Sequence, residues 1–523
     1  MCEMNRFVIR SNKRVCINNI ITTNSISYYR HLDTITKGRN YINNQIKYLS
    51  TANGYKSFGS FHSDDVEVLI RQDPNTYVKP ELPSVMQHEY DKLIRYVHNE
   101  KLSFGKSSKQ LFLLDNEFTF INHGAFGGTL SLCNAYANAW RAYCEMQPLR
   151  FYDRDLLPLL VYSYRMFGNF INCNPEHLVL IPNATYGMNS IVRSLIQTEN
   201  DDVLILDIAY GAVKKIVETV CKDRGSTFDV IEIPLNTPMK TNEELLDDQN
   251  FIDFEANLLN ALDMAIEPRH KLIIFDHTTS NTGINLPIKK MSKICKKYGG
   301  KIVIDGAHGT LAQSLDINNL FHNHHVDFYV GNCHKWLCSS KGLGFMCVKD
   351  IDHKSKNNIE IVPRVISHGY GDGFLSNYIW DGCRDYSSIL ALPLLLEFWN
   401  SYNLTSIRQY QHDTLKDGIE LLLFTMWYDK KHDHVIDKNM VVPFSFHSPM
   451  ALIKLPDKFQ VIDPSSKMYC NTSANAKSVQ DYLYYDKKIE VPIKNINNVL
   501  YSRLSCHIYN ELDDYEAFGR AFL

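Results

Sequence analysis

The sequence predicts an α/β fold, a mainly parallel sheet covered by helices on both faces and followed by a smaller α+β domain. Two observations predict it. Between Leu178 and Val330, short β-branched runs alternate with helical stretches, which is the pattern of strands buried on both faces. After Asp350 the alternation gives way to irregular chain with Gly369, Gly371 and Gly373, and then to mixed helices and strands as far as Leu523.

The elements follow in order. Residues 1–63 read as a leader, because the first sixty carry nine Lys or Arg against two acids, with many Asn, Ser and Thr. Such composition fits either a mitochondrial transit peptide or a disordered segment. Residues 64–121 read as an N-terminal arm, with helical spacing at Tyr90 to Val97. A large domain is expected over 122–395. It opens with the glycine-rich stretch INHGAFGG and helical text from Leu130 to Met146 and on to Phe170. Strands LVLIP, DVLILD, FDVIEIP, KLIIFD, KIVID and VDFYV then alternate with helices from Thr185, Ala212, Asn250 and Pro287. A long helix from Ser387 to about Leu404 leads into a small domain, 396–523, which ends in a strand and a helix.

Composition narrows the function. A net charge of -3 provides no general basic field, so nucleic acid is not an expected partner. No apolar run reaches the length of a membrane span, and Pro393 and Glu397 interrupt the nearest. The thirteen cysteines form no C-x-x-C pair, which suits a reducing compartment, mitochondrial or cytoplasmic. His322, His324 and His325 lack a further marked ligand, so no metal is expected.

The chemistry centres on Lys301 to Val348. Asp305 stands at the carboxyl end of one strand and Lys335 follows the next, so both face the edge of the sheet where α/β proteins bind ligands. An acid and an amine together suit pyridoxal 5'-phosphate (PLP). Its aldehyde forms a Schiff base with a lysine, and a carboxylate keeps its pyridine nitrogen protonated. An Asp in this position also serves as an ordinary helix cap. Upstream, Asn183, Ala184 and Thr185 open a helix, and its backbone N–H groups and dipole suit a phosphate. His308 is placed to touch a phenolic oxygen, Asn332 and His334 to reach the phosphate, and Tyr210 to cover a ring face.

The motifs INHGAFGG, NATYGMN, HTTSNTG, DGAHG, NCHKW and WDGCRDYS, in this order, resemble those of the class V aminotransferases, fold-type I PLP enzymes, and in particular the isopenicillin N epimerase-like subgroup. The resemblance spans about Ile121 to Tyr509. It implies a seven-stranded, mainly parallel sheet in the large domain, with Lys335 as the Schiff-base lysine and Asp305 as the pyridine partner. Thr185 and His334 become phosphate ligands. A homodimer with the active site at its interface is also implied. Cys383 stands where related sequences carry a threonine that reaches the phosphate across the dimer, and a thiol is a weaker donor. Arg503 matches an arginine that holds a substrate carboxylate.

The reaction is left more open than the cofactor. Lys335 supplies one face of the substrate, and His123, Tyr210 and His308 are candidates for the other. Within the subgroup, cysteine desulfhydrases and hercynylcysteine sulfoxide lyases imply a C–S lyase acting on a sulfur-containing amino acid. Epimerase and aminotransferase are the alternatives. A catalytically silent scaffold on the same fold is the alternative of another class.

Overall fold

The computed structural model describes residues 65–99, 103–236, 253–350, 360–427 and 435–523. The expected leader, 1–63, lies outside them.

Seven strands make the large sheet: β2 (Leu178–Ile181), β3 (Asp202–Leu206), β4 (Phe228–Ile231), β5 (His270–Asp276), β6 (Lys301–Gly306), β7 (Phe328–Asn332) and β8 (Gly344–Val348). A two-residue β1 (Thr119–Phe120) precedes them. The strand order is β2-β8-β7-β6-β5-β3-β4. Strands β3 to β7 are parallel to their neighbours within that group, whereas β8 is antiparallel to both β7 and β2. Strand β2 therefore runs in the same direction as β7, and its carboxyl end joins the edge formed by β5, β6 and β7. Apart from β4 and one or two end residues, the strands are buried throughout, which accounts for their continuous Val, Ile and Leu runs.

The small sheet comprises β9 (Met450–Lys454), β11 (Ile493–Ile496) and β12 (Val499–Ser505), all antiparallel, with β12 at its centre. Strand β10 (Ile489–Glu490) pairs instead with β1 in parallel register. Alternation along β12 separates two apolar cores. Val499 and Tyr501 join the large core beneath the seven-stranded sheet, while Leu500 and Leu504 join a smaller core with Ile121, Leu415 and Phe518.

One expected element is corrected. The helix foreseen from Ser387 to Leu404 is broken into Ser387–Leu390 and Leu392–Asn400, and a separate helix begins at Leu404. Pro393 cannot donate to the preceding turn, so a helix can begin there but cannot pass through it. Asn403 then caps the third helix, accepting from the amides of Thr405 and Ser406 at 2.9 and 3.2 Å. Among the described residues, no helix is long and apolar enough to cross a membrane.

Candidate active site

Eight of the residues singled out in the sequence come together. Lys335, Asp305, His308 and Tyr210 line one cavity with Ala184, Thr185, Asn332 and His334. The topology explains this: Asp305 is the next-to-last residue of β6, β7 ends at Asn332, and β2 leads directly into the helix α1 (Ala184–Leu195).

Lys335 is the centre of the arrangement. Its Nζ lies 2.9 Å from His308 Nε2, and the Trp336 indole donates to His308 Nδ1 at 3.2 Å. An indole N–H can only donate, so Nδ1 must carry the lone pair and a neutral His308 must carry its proton on Nε2. That proton then points at Lys335, which can accept it only as an uncharged amine. Burial draws the lysine down to about 8, against the opposing pull of Asp305. Burial, with Lys335, Arg503 and His123 adding to it, holds His308 well below the usual imidazole range.

A residue that sequence reasoning passed over stands beside Asp305. Asp276, at the end of β5, pairs with Asp305 in register across the parallel strands, and both carboxyls are buried on the cavity wall. Burial and then the Asp305 charge push Asp276 well above the ordinary carboxylate range. Asp305 is raised by burial but is relieved by the Ala307 N–H, 3.0 Å from Oδ1, and by Lys335. The proton of the pair is therefore favoured on Asp276, and Asp305 is the better-held anion.

At the start of α1, the N-cap Asn183 accepts from Tyr186 N at 3.0 Å. Asn332 Oδ1 accepts from Ala184 N at 2.9 Å, so the amide of Ala184, expected to meet a phosphate, is already committed to the protein. Asn332 thereby has its amide NH2 to offer. The Thr185 amide and hydroxyl have no partner among the described residues, which leaves them as the donors of this helix start. His334 Nδ1 donates to the Leu343 carbonyl at 2.9 Å, and burial draws the ring down to about 4. In its neutral form it presents a lone pair, not a proton, at Nε2.

The remaining residues are placed differently. His123 is fully buried behind the lysine: Nε2 donates to the Lys335 carbonyl at 3.1 Å, Nδ1 meets the Tyr509 hydroxyl at 2.8 Å, and the ring stacks on His507 at 4.1 Å. Both ring nitrogens are occupied, so it braces the Lys335 loop and does not face the cavity. Cys338 Sγ joins His123 and His507 within 4.8 Å. The two Nε2 protons, however, go to the carbonyls of Lys335 and Trp336, at 3.1 and 3.2 Å. Gly127, of the FGG motif, has φ +72°, and a Cβ there would lie 2.7 Å from Lys335 Cα. Cys383 is exposed and outside this cavity. Arg503 is buried; it donates to the carbonyl of Ser280, a cavity residue, and weakly to Asn122 Oδ1 at 3.5 Å.

A buried uncharged amine, a paired carboxylate and an anion-ready helix start are the donor set that PLP requires, so the residues present fit that cofactor. Comparison with known proteins agrees. The chain is 26% identical over 432 residues to a probable chloroplastic L-cysteine desulfhydrase of Arabidopsis thaliana, covering 80% of this chain and 85% of that protein. It is 27% identical over 327 residues to an isopenicillin N epimerase of Streptomyces clavuligerus, covering 59% and 76% respectively. A solved structure of a C-DES mutant, with glycine covalently linked to its PLP cofactor, shares the fold at a TM-score of 0.59 and 15% identity, covering 79% of this chain and 98% of that one. The family model described as aminotransferase class-V matches residues 164–448, more than half of the sequence. This chain belongs to the class V aminotransferases, a family of PLP-dependent enzymes.

Proposed function

We propose that the protein is a PLP-dependent C–S lyase that releases pyruvate and ammonia from a sulfur-containing amino acid. The observation that carries this reading is the buried Lys335 amine, hydrogen-bonded to His308 and sharing the cavity wall with Asp305. Similarity to a cysteine desulfhydrase over four fifths of the chain favours C–S cleavage among the family's reactions.

In this reading Lys335 would anchor PLP through its aldehyde and Asp305 would keep the pyridine nitrogen protonated. Thr185 and Asn332 would hold the phosphate, and His334 would help only once a proton reaches its Nε2. Cys383, exposed on the surface, would serve the partner's phosphate in a homodimer. When bound, PLP supplies an electron sink for charge developing at the substrate's Cα. The rest falls to the chain. Arg503 orients the α-carboxylate with its planar fork. The amine of Lys335, which the His308 proton favours in its uncharged form, would take the α-proton. The electron pair left at Cα expels the sulfur from Cβ as sulfide or thiolate. With water, cysteine thus yields pyruvate, ammonia and hydrogen sulfide.

The test is to purify the protein, reduce it with borohydride and assay it with L-cysteine. Pyridoxyl on Lys335, with pyruvate and sulfide in equal amounts, is the expected result. Solvent deuterium at Cα with the side chain intact would make it an epimerase, and amino transfer to a keto acid an aminotransferase. A protein that stays colourless with added PLP would make it a scaffold. We place its site of action inside the cell; the basic first sixty residues are the feature that would direct it to mitochondria, and fluorescence of a fusion carrying them would show whether they do.

A further inference from the structure

We infer that Lys494, Tyr501 and Arg503 form one anion-recognition wall with unpartnered donors for two acidic groups, so that the substrate carries a second negative charge beyond its sulfur. The word sulfur rests on the lyase reading above; the wall does not.

Strand pairing aligns the three side chains. Lys494 on β11 pairs with Tyr501 on β12, and Arg503 follows two residues later with its N–H donating to the Pro492 carbonyl at 3.1 Å. Cross-strand partners share a face of a sheet, as do residues two apart along a strand. All three therefore project from the face that Val499 and Tyr501 turn toward the large core. Arg503 connects that face to the cavity through Ser280, and its charge is felt at both Lys335 and His308.

The wall has donors and no acceptor. Tyr501 is 1% exposed and its hydroxyl has no partner; Arg503 is 3% exposed and its Nε has none. The guanidinium's remaining contacts are to neutral oxygens. Lys494 has no hydrogen bond or ion pair among the described residues, and burial together with the Arg503 charge draws its amine down to about 8. Glu490, four residues earlier, is engaged by the Asn122 amide at 3.0 Å. The contrast lies in the same row of the sheet. Lys454, on the other side of Tyr501, is buried where Lys494 is only half-buried, and it holds Asp457 and the Tyr469 hydroxyl at 3.1 Å each.

A buried guanidinium and a half-buried ammonium without counter-charges are costly unless a ligand supplies them. An α-carboxylate satisfies the fork of Arg503 but leaves Lys494 and Tyr501 unmet. Neighbouring side chains on such a face stand about 5–7 Å apart. This is the reach from an α-carboxylate to an acid one carbon beyond a cysteine sulfur. The substrate class is accordingly an anionic S-conjugate of cysteine, such as S-carboxymethylcysteine.

Binding can be read without turnover, from the change in cofactor absorption of the holoenzyme on adding 2-aminoadipate, in which CH2 replaces sulfur, or the uncharged norleucine. The wild type should bind 2-aminoadipate about 10- to 100-fold more tightly than norleucine, the range for hydrogen bonds to a charged group. Lys494→Met should abolish that preference, Tyr501→Phe should reduce it, and Lys494→Arg should restore most of it. Equal affinities in the wild type, or a preference that survives Lys494→Met, would overturn the inference. A preference that is present while neither cysteine nor S-carboxymethylcysteine yields pyruvate would keep the anion wall and defeat the lyase reading.

Discussion

Lys335, on the loop between β7 and β8 of the large sheet, and Arg503, on the central strand of the small one, are both buried basic side chains near Ser280, yet they are handled in opposite ways. Around Lys335 the protein brings a carboxylate, Asp305, and a donor chain from Trp336 through His308 that selects the uncharged amine. Around Arg503 it brings only neutral oxygens, and Lys494 adds a second cation. A group that must form and break a covalent bond is supplied with its proton balance in advance. A group that must hold an anion is left waiting for one.

The most severe way to break this comparison is Lys335→Ala. Loss of both the covalent anchor and the base should lower turnover by ~10³-fold or more, and borohydride should leave no pyridoxyl on the chain. Mass spectrometry of the digested protein checks the second outcome independently of activity.

The two aspartates sharpen the same contrast within the large sheet. Asp305→Asn removes the anion and should cost about 10²- to 10³-fold in kcat, as for other single electrostatic groups at reacting centres. Asp276→Asn replaces an already uncharged carboxyl with a group of the same shape, so kcat should change by less than roughly 3-fold. Equal losses in the two variants would show that the proton is not confined to Asp276. On the small sheet, Arg503→Met should lower kcat/KM by about 10- to 100-fold, chiefly through KM, because it removes hydrogen bonds to a charged group of the substrate.

The large sheet was far more legible in the sequence than the site's finer divisions. Strands buried on both faces leave continuous β-branched runs, so β2, β3, β5, β6 and β7 could be read directly, and with them the positions of Asp305 and Asn332. Asp276 escaped because an acid at a strand end looks like a cap; only its register beside Asp305 across β5 and β6 makes it part of a pair. His123 was grouped with the cavity as a candidate for the substrate's second face, whereas Gly127 packs on Lys335 from behind and carries His123 to that side. The commitment of the Ala184 amide to Asn332 joins residues 148 apart, a spacing that no local pattern reports. Lys494 reads as one more exposed strand lysine until the pairing with Tyr501 places it beside Arg503.

The smallest effect tests the finest claim, that His308 donates to Lys335. Attack on the cofactor aldehyde requires the unprotonated amine, so the rate at which apoenzyme takes up PLP should rise with pH through about 8 and level off above it. The direction is fixed by burial, which disfavours the ammonium form. His308→Phe keeps an apolar ring of similar size but deletes the donor that favours the free amine, and the ammonium form should persist to higher pH. A hydrogen bond worth about 1 kcal/mol moves the midpoint upward by roughly 0.7 of a pH unit. Stopped-flow uptake measured between pH 6 and 10 would resolve that shift. A downward shift would mean that Lys335 donates to His308, contrary to the proton that the Trp336 indole assigns.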